Sequence, residues 1–490
     1  MKRASGILMP ISALPGKYGI GSLGKEAYAF ADFLKKSGQT YWQILPLGHT
    51  GYGDSPYQCV SAYAGNPYLI DLELLAEEGL LEAEELLSAE QVNTGNIDFN
   101  KLYQTRYTLL RKAFERGKDK NQEALEAFKK EQQQWLETYS LYMSLKVREG
   151  YKSWREWERP LQQGEPEVLK EQQKVLAEEN AFWVFVQYEF YKQWQHLKDY
   201  VNQLGLKIIG DLPFYVAEDS CDVWAYPENF QLDEKKQPQY VAGCPPDAFT
   251  KDGQFWGNPL YNWEYLKHTN YRWWMERMHF TLMLYDVVRI DHFRGFESYW
   301  SIPYGSATAK EGQWVKGPGI DFFQALKKQF TKAEIIVEDL GFLSPEVLDL
   351  KEQVGYPGMS VLQFAFDQDA HNRYLPHAAV KHAVMYTGTH DNPTIWEWLH
   401  TIDQGVRKQV QEYLVLKSEE DYWGVVRGAW SSVSDLAITQ MQDLLGLGQE
   451  ARMNYPGAFG GNWKWRLQED QLTQDLAQKL YSMTKLYGRN

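Results

Sequence analysis

Four acidic residues stand at or near the ends of short apolar runs that are widely spaced along the chain. They are Asp211 after LKIIG, Asp291 after VVRI, Glu338 after AEIIV and Asp391 after AVMYTGTH. Two more polar side chains accompany them: Arg289 lies two positions before Asp291, and His390 directly precedes Asp391. Three carboxyl groups around one space suit glycoside chemistry, in which one attacks the anomeric carbon, one protonates the leaving oxygen and one binds sugar hydroxyls.

A metal site or a purely structural ion pair would use the same residue types. A cluster of acids can bind Mg²⁺ or Mn²⁺, although the guanidinium of Arg289 beside Asp291 already supplies positive charge and argues against a metal. An ion pair would only stabilise the end of a strand. Side chains alternate between the faces of a strand, so Val287, Arg289 and Asp291 share one face. The function of this face depends on what the remaining elements place around it.

The elements that would position these acids form an alternating pattern. Strand character is found at residues 5–11, 40–47, 206–212, 287–295, 299–303, 333–341, 360–366 and 383–392, with segments of helical periodicity between them. This alternation predicts an α/β fold, the (β/α)8 TIM barrel. Catalytic groups in such barrels lie at the carboxyl ends of the strands. We therefore expect Asp291 after strand four, Glu338 after strand six and Asp391 after strand eight to share one mouth.

The chain is expected to form a single catalytic barrel domain over residues 1–490. Residues 71–205 are rich in helix-forming residues and lack strand signals, which predicts a mainly helical insertion between strands two and three. After residue 392 the sequence reads as helical, apart from one loop, and no alternating strand array suggests a C-terminal β-sandwich domain. The whole architecture is therefore a barrel with one large insertion and no second sheet domain at its end.

Two Gly-rich aromatic segments, at residues 243–259 and 454–466, predict active-site loops over the barrel mouth. Long irregular loops in compact domains are usually lids or binding loops, and flat aromatic side chains can pack on sugar faces. The aromatic residues concerned are Phe249, Phe255, Trp256, Trp463 and Trp465. The alternative is that these segments are surface loops with buried aromatic anchors.

Composition excludes several classes of function. The formal charge is 51 − 65 = −14, which argues against nucleic acid or an anionic membrane as partner, because phosphate groups bind basic surfaces. No signal peptide is evident, and no apolar run approaches the roughly 20 residues that span a membrane. Cys59, Cys221 and Cys244 lack metal-ligand spacing, so we expect no metal, no organic cofactor and a cytoplasmic location. Phosphate-binding loops and nucleophile elbows are also absent from the sequence.

A longer set of motifs identifies a family resemblance. In order along the chain they are GILMPISALPG, QILPLGHTGYGDSPYQ, IIGDLPFYVAEDS, FTKDGQFWGNP, VVRIDHFRG, VEDLG, QFAF and TGTHDNPT. Together they resemble the amylomaltases, the 4-α-glucanotransferases or disproportionating enzymes of glycoside hydrolase family 77, which are related to the α-amylases. The third motif lacks the Asn-His ending that is usual in α-amylases proper. The histidine that those enzymes place there is therefore missing.

The resemblance implies a role for each candidate residue. Asp291 is expected to be the nucleophile, Glu338 the general acid/base and Asp391 the third carboxylate, which holds sugar hydroxyls. Arg289 and His390 are expected to contact the nucleophile and the sugar, and Asp211 to brace the site. Four loop residues are expected to contact substrate: Ser55, Tyr57, Trp256 and Asn462. Since Glu338 must donate a proton, its environment is expected to favour the neutral acid.

The implied activity is a retaining transfer of α-1,4-glucan segments. A donor maltodextrin would give its segment to the 4-hydroxyl of an acceptor glucan or glucose, through a covalent bond to Asp291. A hydrolase on the same barrel is the first alternative, and the physics of the sequence alone does not separate it from a transferase. A non-catalytic sugar-binding protein is the second, and the presence of all three carboxylates argues against it.

Overall fold

The computed structural model describes residues 2–51, 53–120, 122–246, 250–341, 343–418, 421–458 and 460–490. The strands are β1 Ala4–Leu8, β2 Tyr41–Gln43, β3 Lys207–Leu212, β4 Tyr240–Cys244, β5 Gln254–Pro259, β6 Val287–Ile290, β7 Ser298–Pro303, β8 Gln313–Lys316, β9 Ile335–Val337, β10 Gly358–Val361, β11 Ala383–Tyr386 and β12 Leu436–Gln440. The helices before β3 are α1 Lys25–Lys36, α2 Leu72–Glu77, α3 Ala83–Leu86, α4 Phe99–Gly117, α5 Gln122–Glu131, α6 Leu136–Arg148, α7 Arg159–Gln163, α8 Pro166–Val175 and α9 Ala177–Gln203. Those after β3 are α10 Cys221–Ala225, α11 Trp263–His268, α12 Arg272–Leu284, α13 Ile320–Gln329, α14 Pro345–Val354, α15 Ile395–Thr401, α16 Gln404–Leu414, α17 Tyr422–Ser431, α18 Met441–Leu445 and α19 Gln474–Leu486.

A parallel barrel forms the centre of the molecule. Its strands follow the order β10-β11-β12-β1-β2-β3-β6-β9, and the amide of Val337, in β9, donates to the carbonyl of Pro357 next to β10 at 3.0 Å. The strands are short apolar runs such as VVRI and IIV, buried on both faces, as expected where helices cover a parallel sheet. The predicted barrel fold is confirmed.

One predicted barrel strand was assigned wrongly, and one barrel strand was not predicted. Residues 299–303 belong to β7, which lies in an antiparallel sheet of order β5-β4-β7-β8 outside the barrel. The eighth barrel strand is β12, in a region that we expected to be helical. Its sequence LAITQ is short and wholly buried, so periodicity cannot distinguish it from a buried helix. Glu338 consequently follows the fifth barrel strand and Asp391 the seventh, not the sixth and eighth.

Helices α2 to α9 lie between β2 and β3, and they brace the loop that follows β2. Gln187, buried on α9, accepts a hydrogen bond from the amide of Gly65 at 2.7 Å and donates one to its carbonyl at 3.0 Å. Gln193 makes the same pair of contacts with Asp71, at 2.7 and 3.2 Å. A Cβ on Gly65 would meet the ring of Phe190 at 2.0 Å. These contacts hold the segment from Gly65 to Asp71 against α9. Ser55 and Tyr57 lie in the loop that precedes this segment.

After β12 the described residues form the short helix α18, a mainly irregular stretch and the terminal helix α19, with no further strand. Among the described helices, none combines the length and the apolar character that crossing a membrane requires. The division into one catalytic domain with an insertion at 71–205 stays a prediction.

Candidate active site

The base of the site is an ion pair between neighbouring barrel strands. The β3–β6 register places Asp211 opposite Arg289, and one terminal nitrogen of Arg289 contacts both carboxylate oxygens of Asp211, at 2.6 and 2.5 Å. Both side chains are buried. A buried arginine needs such a counter-charge, since an unpaired ion in the interior is strongly destabilising.

The guanidinium of Arg289 also reaches the two acids assigned to catalysis. Nη1 lies 3.3 Å from Oδ1 of Asp291, and Nη2 lies 3.0 Å from Oε2 of Glu338. Burial would lower the pKa of Arg289, but Asp211, Glu338 and Asp291 raise it well above its usual value. The arginine is therefore a permanent cation between the two carboxyl groups.

Backbone contacts fix where the two carboxyl groups lie. The amide of Asp291 donates to the carbonyl of Leu212 at 3.1 Å, and that of Glu338 donates to the carbonyl of Ile290 at 2.9 Å. Oε2 of Glu338 also accepts a hydrogen bond from the amide of His292 at 2.8 Å. The two side chains remain partly accessible, with 24% of Asp291 and 20% of Glu338 exposed.

In the free site, the surroundings of this pair favour the proton on Asp291 rather than on Glu338. Burial and the Glu338 carboxylate raise the pKa of Asp291 well above its usual value. Burial would also raise the pKa of Glu338, but Arg289 and hydrogen bonds from Asp291 and the His292 amide lower it to about 2. The expectation that the environment of Glu338 favours the neutral acid is therefore wrong for the free site. Two carboxyl groups this close do not both ionise readily, and the contacts from Arg289 and the His292 amide favour the charge on Glu338.

Asp391 and His390 lie after β11 and are held by a segment that the sequence analysis did not single out residue by residue. Nε2 of His390 is 3.5 Å from Oδ1 of Asp391, and the Asn454 side-chain amide donates to that oxygen at 2.6 Å. Arg452 donates to the backbone carbonyl of Asp391 at 3.0 Å. Asn454 is the first residue of the predicted loop 454–466, and its place in that loop was the only sign in the sequence that it belongs to the site. Arg452 lies outside the loop.

An aromatic wall stands beside these acids. The rings of Tyr57 and His390 are stacked, with centroids 5.2 Å apart and planes 17° apart. Trp463 lies 5.8 Å from each of them. The hydroxyl of Tyr57 donates to Asp211 at 2.7 Å. The wall is therefore tied to the same buried ion pair that contacts Asp291 and Glu338.

Ser55 and Asn462, both expected to contact substrate, have partners within their own loops. Oγ of Ser55 accepts from the amide of Tyr57 at 3.3 Å. The Asn462 side chain accepts from the amide of Tyr455 at 3.0 Å and donates to the carbonyls of Tyr455 and Ala458 at 3.4 Å. In this arrangement their polar groups shape the loops that carry Tyr57 and Trp463.

The segment 243–259, expected to be an irregular loop, contains parts of two paired strands, β4 and β5. The rings of Trp256, on β5, and His292 are perpendicular, with centroids 5.0 Å apart and planes 88° apart. Phe255 next to it is 42% exposed. Phe249 lies outside the described residues. Trp465, from the second segment, is buried and pairs with Asn96 away from this wall.

No metal centre is evident in the part of the chain that the structure describes, since no three His, Cys, Asp or Glu residues there are arranged to hold an ion. The acids of the site are instead held by Arg289, His292, Asn454 and Tyr57. A cofactor-free reaction stays a prediction. What the geometry offers chemically is two coupled carboxyl groups on one cation, a third carboxylate near them and a flat aromatic wall.

Comparisons with known proteins identify the family of this chain. The family model of glycoside hydrolase 77, described as 4-alpha-glucanotransferase, matches residues 9–473. The 4-alpha-glucanotransferase of Clostridium butyricum is 48% identical, covering 98% of this chain and 100% of that protein. The Thermus thermophilus enzyme of the same name is 46% identical, covering 100% and 99%. The structure of the amylomaltase from Streptococcus agalactiae in complex with acarbose superposes with a TM-score of 0.97 at 39% identity, with full coverage of both chains. The chain therefore belongs to the 4-α-glucanotransferases of glycoside hydrolase family 77.

Proposed function

We propose that this enzyme transfers α-1,4-glucan segments from a donor maltodextrin to the 4-hydroxyl of an acceptor glucan or glucose, with retention of configuration. The main support for this proposal is the position of Arg289, which contacts Asp291 at 3.3 Å and Glu338 at 3.0 Å. Retaining glycosidases need two carboxyl groups close enough for one to attack and the other to move the proton. The side-chain hydrogen bond between Asp291 and Glu338 supports such a close approach of the two carboxyl groups.

In the first step, the Asp291 carboxylate attacks the anomeric carbon as the bond to the leaving oxygen breaks. That oxygen takes the proton of Glu338, which becomes a carboxylate. Because the free site keeps the proton on Asp291, it must first pass to Glu338, and the side-chain hydrogen bond between them supplies a direct route. Arg289 then stabilises whichever carboxylate is charged.

In the second step, the acceptor hydroxyl attacks the glycosyl ester and gives its proton to Glu338. The Asp291 carboxylate leaves, and the proton on Glu338 then passes back to Asp291, which restores the free site. The contacts from Arg289 and the His292 amide favour the ionised Glu338 that this step requires. Retention follows because the anomeric carbon is inverted twice.

The remaining residues are proposed to bind the sugar. Asp391 is 43% exposed and offers a carboxylate to sugar hydroxyls, while His390 and Tyr57 supply a flat surface on which a ring can pack. The related amylomaltase of Streptococcus agalactiae forms a complex with acarbose, which supports an oligosaccharide ligand here. The charge of −14 supports a neutral glucan over nucleic acid, and the cysteine pattern supports a cytoplasmic location.

A maltotriose incubation tests the proposal. The expected products are glucose and oligosaccharides longer than the donor, whereas a hydrolase would give glucose and maltose as its main products. Asp291→Asn under identical conditions is the control for contaminating activity. Proton NMR of the transfer product should show a new α-1,4 linkage, and mass spectrometry of the denatured protein should find a glycosyl group on Asp291. An inverted product or a glycosyl group on another residue would overturn the mechanism.

A further inference from the structure

His292 lies between the acid/base and the Trp256 side chain. Its amide donates to Oε2 of Glu338 at 2.8 Å. Its ring is perpendicular to that of Trp256, with the two ring centroids 5.0 Å apart. One residue thus contacts Glu338 through its backbone and Trp256 through its side chain.

The backbone of His292 is in the left-handed conformation, with φ 48° and ψ 48°. A residue with a side chain adopts this region at a cost of about 1 kcal/mol or more, so the surrounding contacts must enforce it. A Cβ on Gly295 would come within 3.0 Å of the His292 ring, which shows how closely the ring is packed. In the observed backbone conformation, the amide donates to Glu338.

Packing determines the orientation of the His292 ring. Burial lowers the pKa of this imidazole to about 4, so it is neutral near pH 7. Among the described residues, none provides a hydrogen bond to its buried Nε2. Its other ring neighbours are Phe214 at 5.8 Å and Tyr215 at 6.3 Å. A displacement of Trp256 would therefore be transmitted to His292 by contact.

The Trp256 strand is in turn tied to the loop that carries Tyr57. The side-chain amides of Gln58 and Asn258 bond reciprocally, at 3.0 and 3.2 Å, and Asn258 also donates to the carbonyl of Val216 at 2.8 Å. Gln58 directly follows Tyr57, whose ring forms part of the aromatic wall. The position of Trp256 is thus coupled both to His292, next to Glu338, and to the loop that carries Tyr57.

We infer that His292 is a positioning residue that couples Trp256 to Glu338. When an acceptor sugar packs on Trp256, the contact passes through His292 and aligns the oxygen of Glu338 with the attacking hydroxyl. A water molecule makes no such contact with Trp256 and therefore does not align Glu338. His292 thereby favours transfer over hydrolysis in the second step. The inference rests on the proposed function, in which Glu338 takes the proton of the acceptor.

His292→Asn and His292→Gly test the inference. Both replacements accept a positive φ and keep the amide that bonds Glu338, but both remove the imidazole. With α-maltosyl fluoride as donor, whose leaving group needs little acid assistance, fluoride release should fall less than transfer to added glucose does. Transfer should fall by up to about a hundredfold, because misplacement by about 1 Å can have that effect. The fraction of glycosyl groups lost to water should rise.

A double-mutant cycle with Trp256→Ala identifies the route of coupling. If Trp256 acts through His292, adding His292→Asn to Trp256→Ala should change the transfer-to-hydrolysis ratio little, because contacting residues are not independent. Thermal unfolding checks that each variant is folded. An unchanged ratio in both His292 variants, or effects that multiply in the double variant, would overturn the inference. Failure of the wild-type enzyme to retain configuration would instead overturn the proposed function.

Discussion

Arg289 and Asp211 lie opposite each other on adjacent barrel strands, and a single nitrogen of Arg289 contacts both carboxylate oxygens of Asp211, at 2.6 and 2.5 Å. This pair leaves the other terminal nitrogen free to hold Glu338 at 3.0 Å. The orientation of the proposed catalytic acids therefore depends on Asp211, which is itself almost fully buried.

Asp211→Asn should be strongly destabilising and nearly inactive. Removing one partner of a buried ion pair leaves an uncompensated charge, which typically lowers the free energy of unfolding by about 3–5 kcal/mol. Urea denaturation measures this change. The matched control is Asp252→Asn, which removes an ion pair to Lys310 between exposed side chains and should change the free energy of unfolding by less than about 1 kcal/mol. Similar losses for both variants would contradict the structural role of Asp211.

Asp291→Asn should lose transfer activity by several orders of magnitude while still binding maltodextrin, because an amide cannot replace the attacking carboxylate. Disproportionation of maltotriose measures activity, and calorimetric titration measures binding. Asp349→Asn, which alters an exposed acid on α14, should behave as the wild type. Substantial residual transfer by Asp291→Asn would rule out its role as nucleophile.

The same substitution should alter the pH dependence of stability. A carboxyl group whose pKa is raised in the folded state contributes stability that is present below its unfolded pKa and lost as the pH rises through the folded value. Asp291 is such a group, because burial and Glu338 raise its pKa. Asp291→Asn has no proton to lose, so its stability relative to wild type should increase as the pH is raised from about 4, near the unfolded pKa. Urea unfolding across this range would contradict the assignment if the difference stayed constant.

Asn454→Ala should weaken the site, because the Asn454 amide donates to Asp391 at 2.6 Å. A hydrogen bond to a charged group contributes about 1.5–3 kcal/mol, so kcat/KM for maltotriose should fall by roughly tenfold or more. The informative comparison is Asn462→Ala, whose side chain bonds only within its own loop among the described contacts. Steady-state kinetics should show the larger loss for Asn454→Ala, and the reverse order would mean that Asn462 is the substrate contact.

Trp256→Ala should raise the fraction of intermediate that is lost to water. An acceptor that is well oriented by the protein can outcompete water through its high effective molarity, and a flat ring both orients sugar and excludes solvent. The neighbouring Phe255→Ala is the matched control, since that ring is 42% exposed while Trp256 contacts His292. Oligosaccharide and glucose yields from maltotriose give the ratio. Equal ratios in the two variants would argue against the role of Trp256.

The sequence could predict which acids end barrel strands, because that depends on local patterns. VVRI and AEIIV are apolar runs whose strand character needs no partner to be recognised, and Asp291 and Glu338 follow them directly. The parallel barrel followed from the alternation of such runs with helices. The family motifs added roles to these residues, but they did not supply their geometry.

Only the tertiary structure decided which strands form the barrel. The segment YWSIP has strand propensity yet joins the antiparallel sheet, whereas LAITQ, between helices α17 and α18, becomes the eighth barrel strand. Local propensity reports that a segment can be extended, but pairing depends on neighbours that are distant in sequence. The strand numbers of Glu338 and Asp391 changed for this reason.

The protonation of the acid pair was likewise decided by tertiary contacts. The sequence identified Asp291 and Glu338 as partners, but it could not show that Arg289 and the His292 amide both point to Glu338. Nor could it show that Asn454 reaches Asp391 across more than sixty residues of chain. Residue type determined what chemistry this enzyme has available. Distances and burial in the folded chain determined where its proton and its charges lie, because the pKa of a carboxyl group depends on solvation and on charges within a few ångströms.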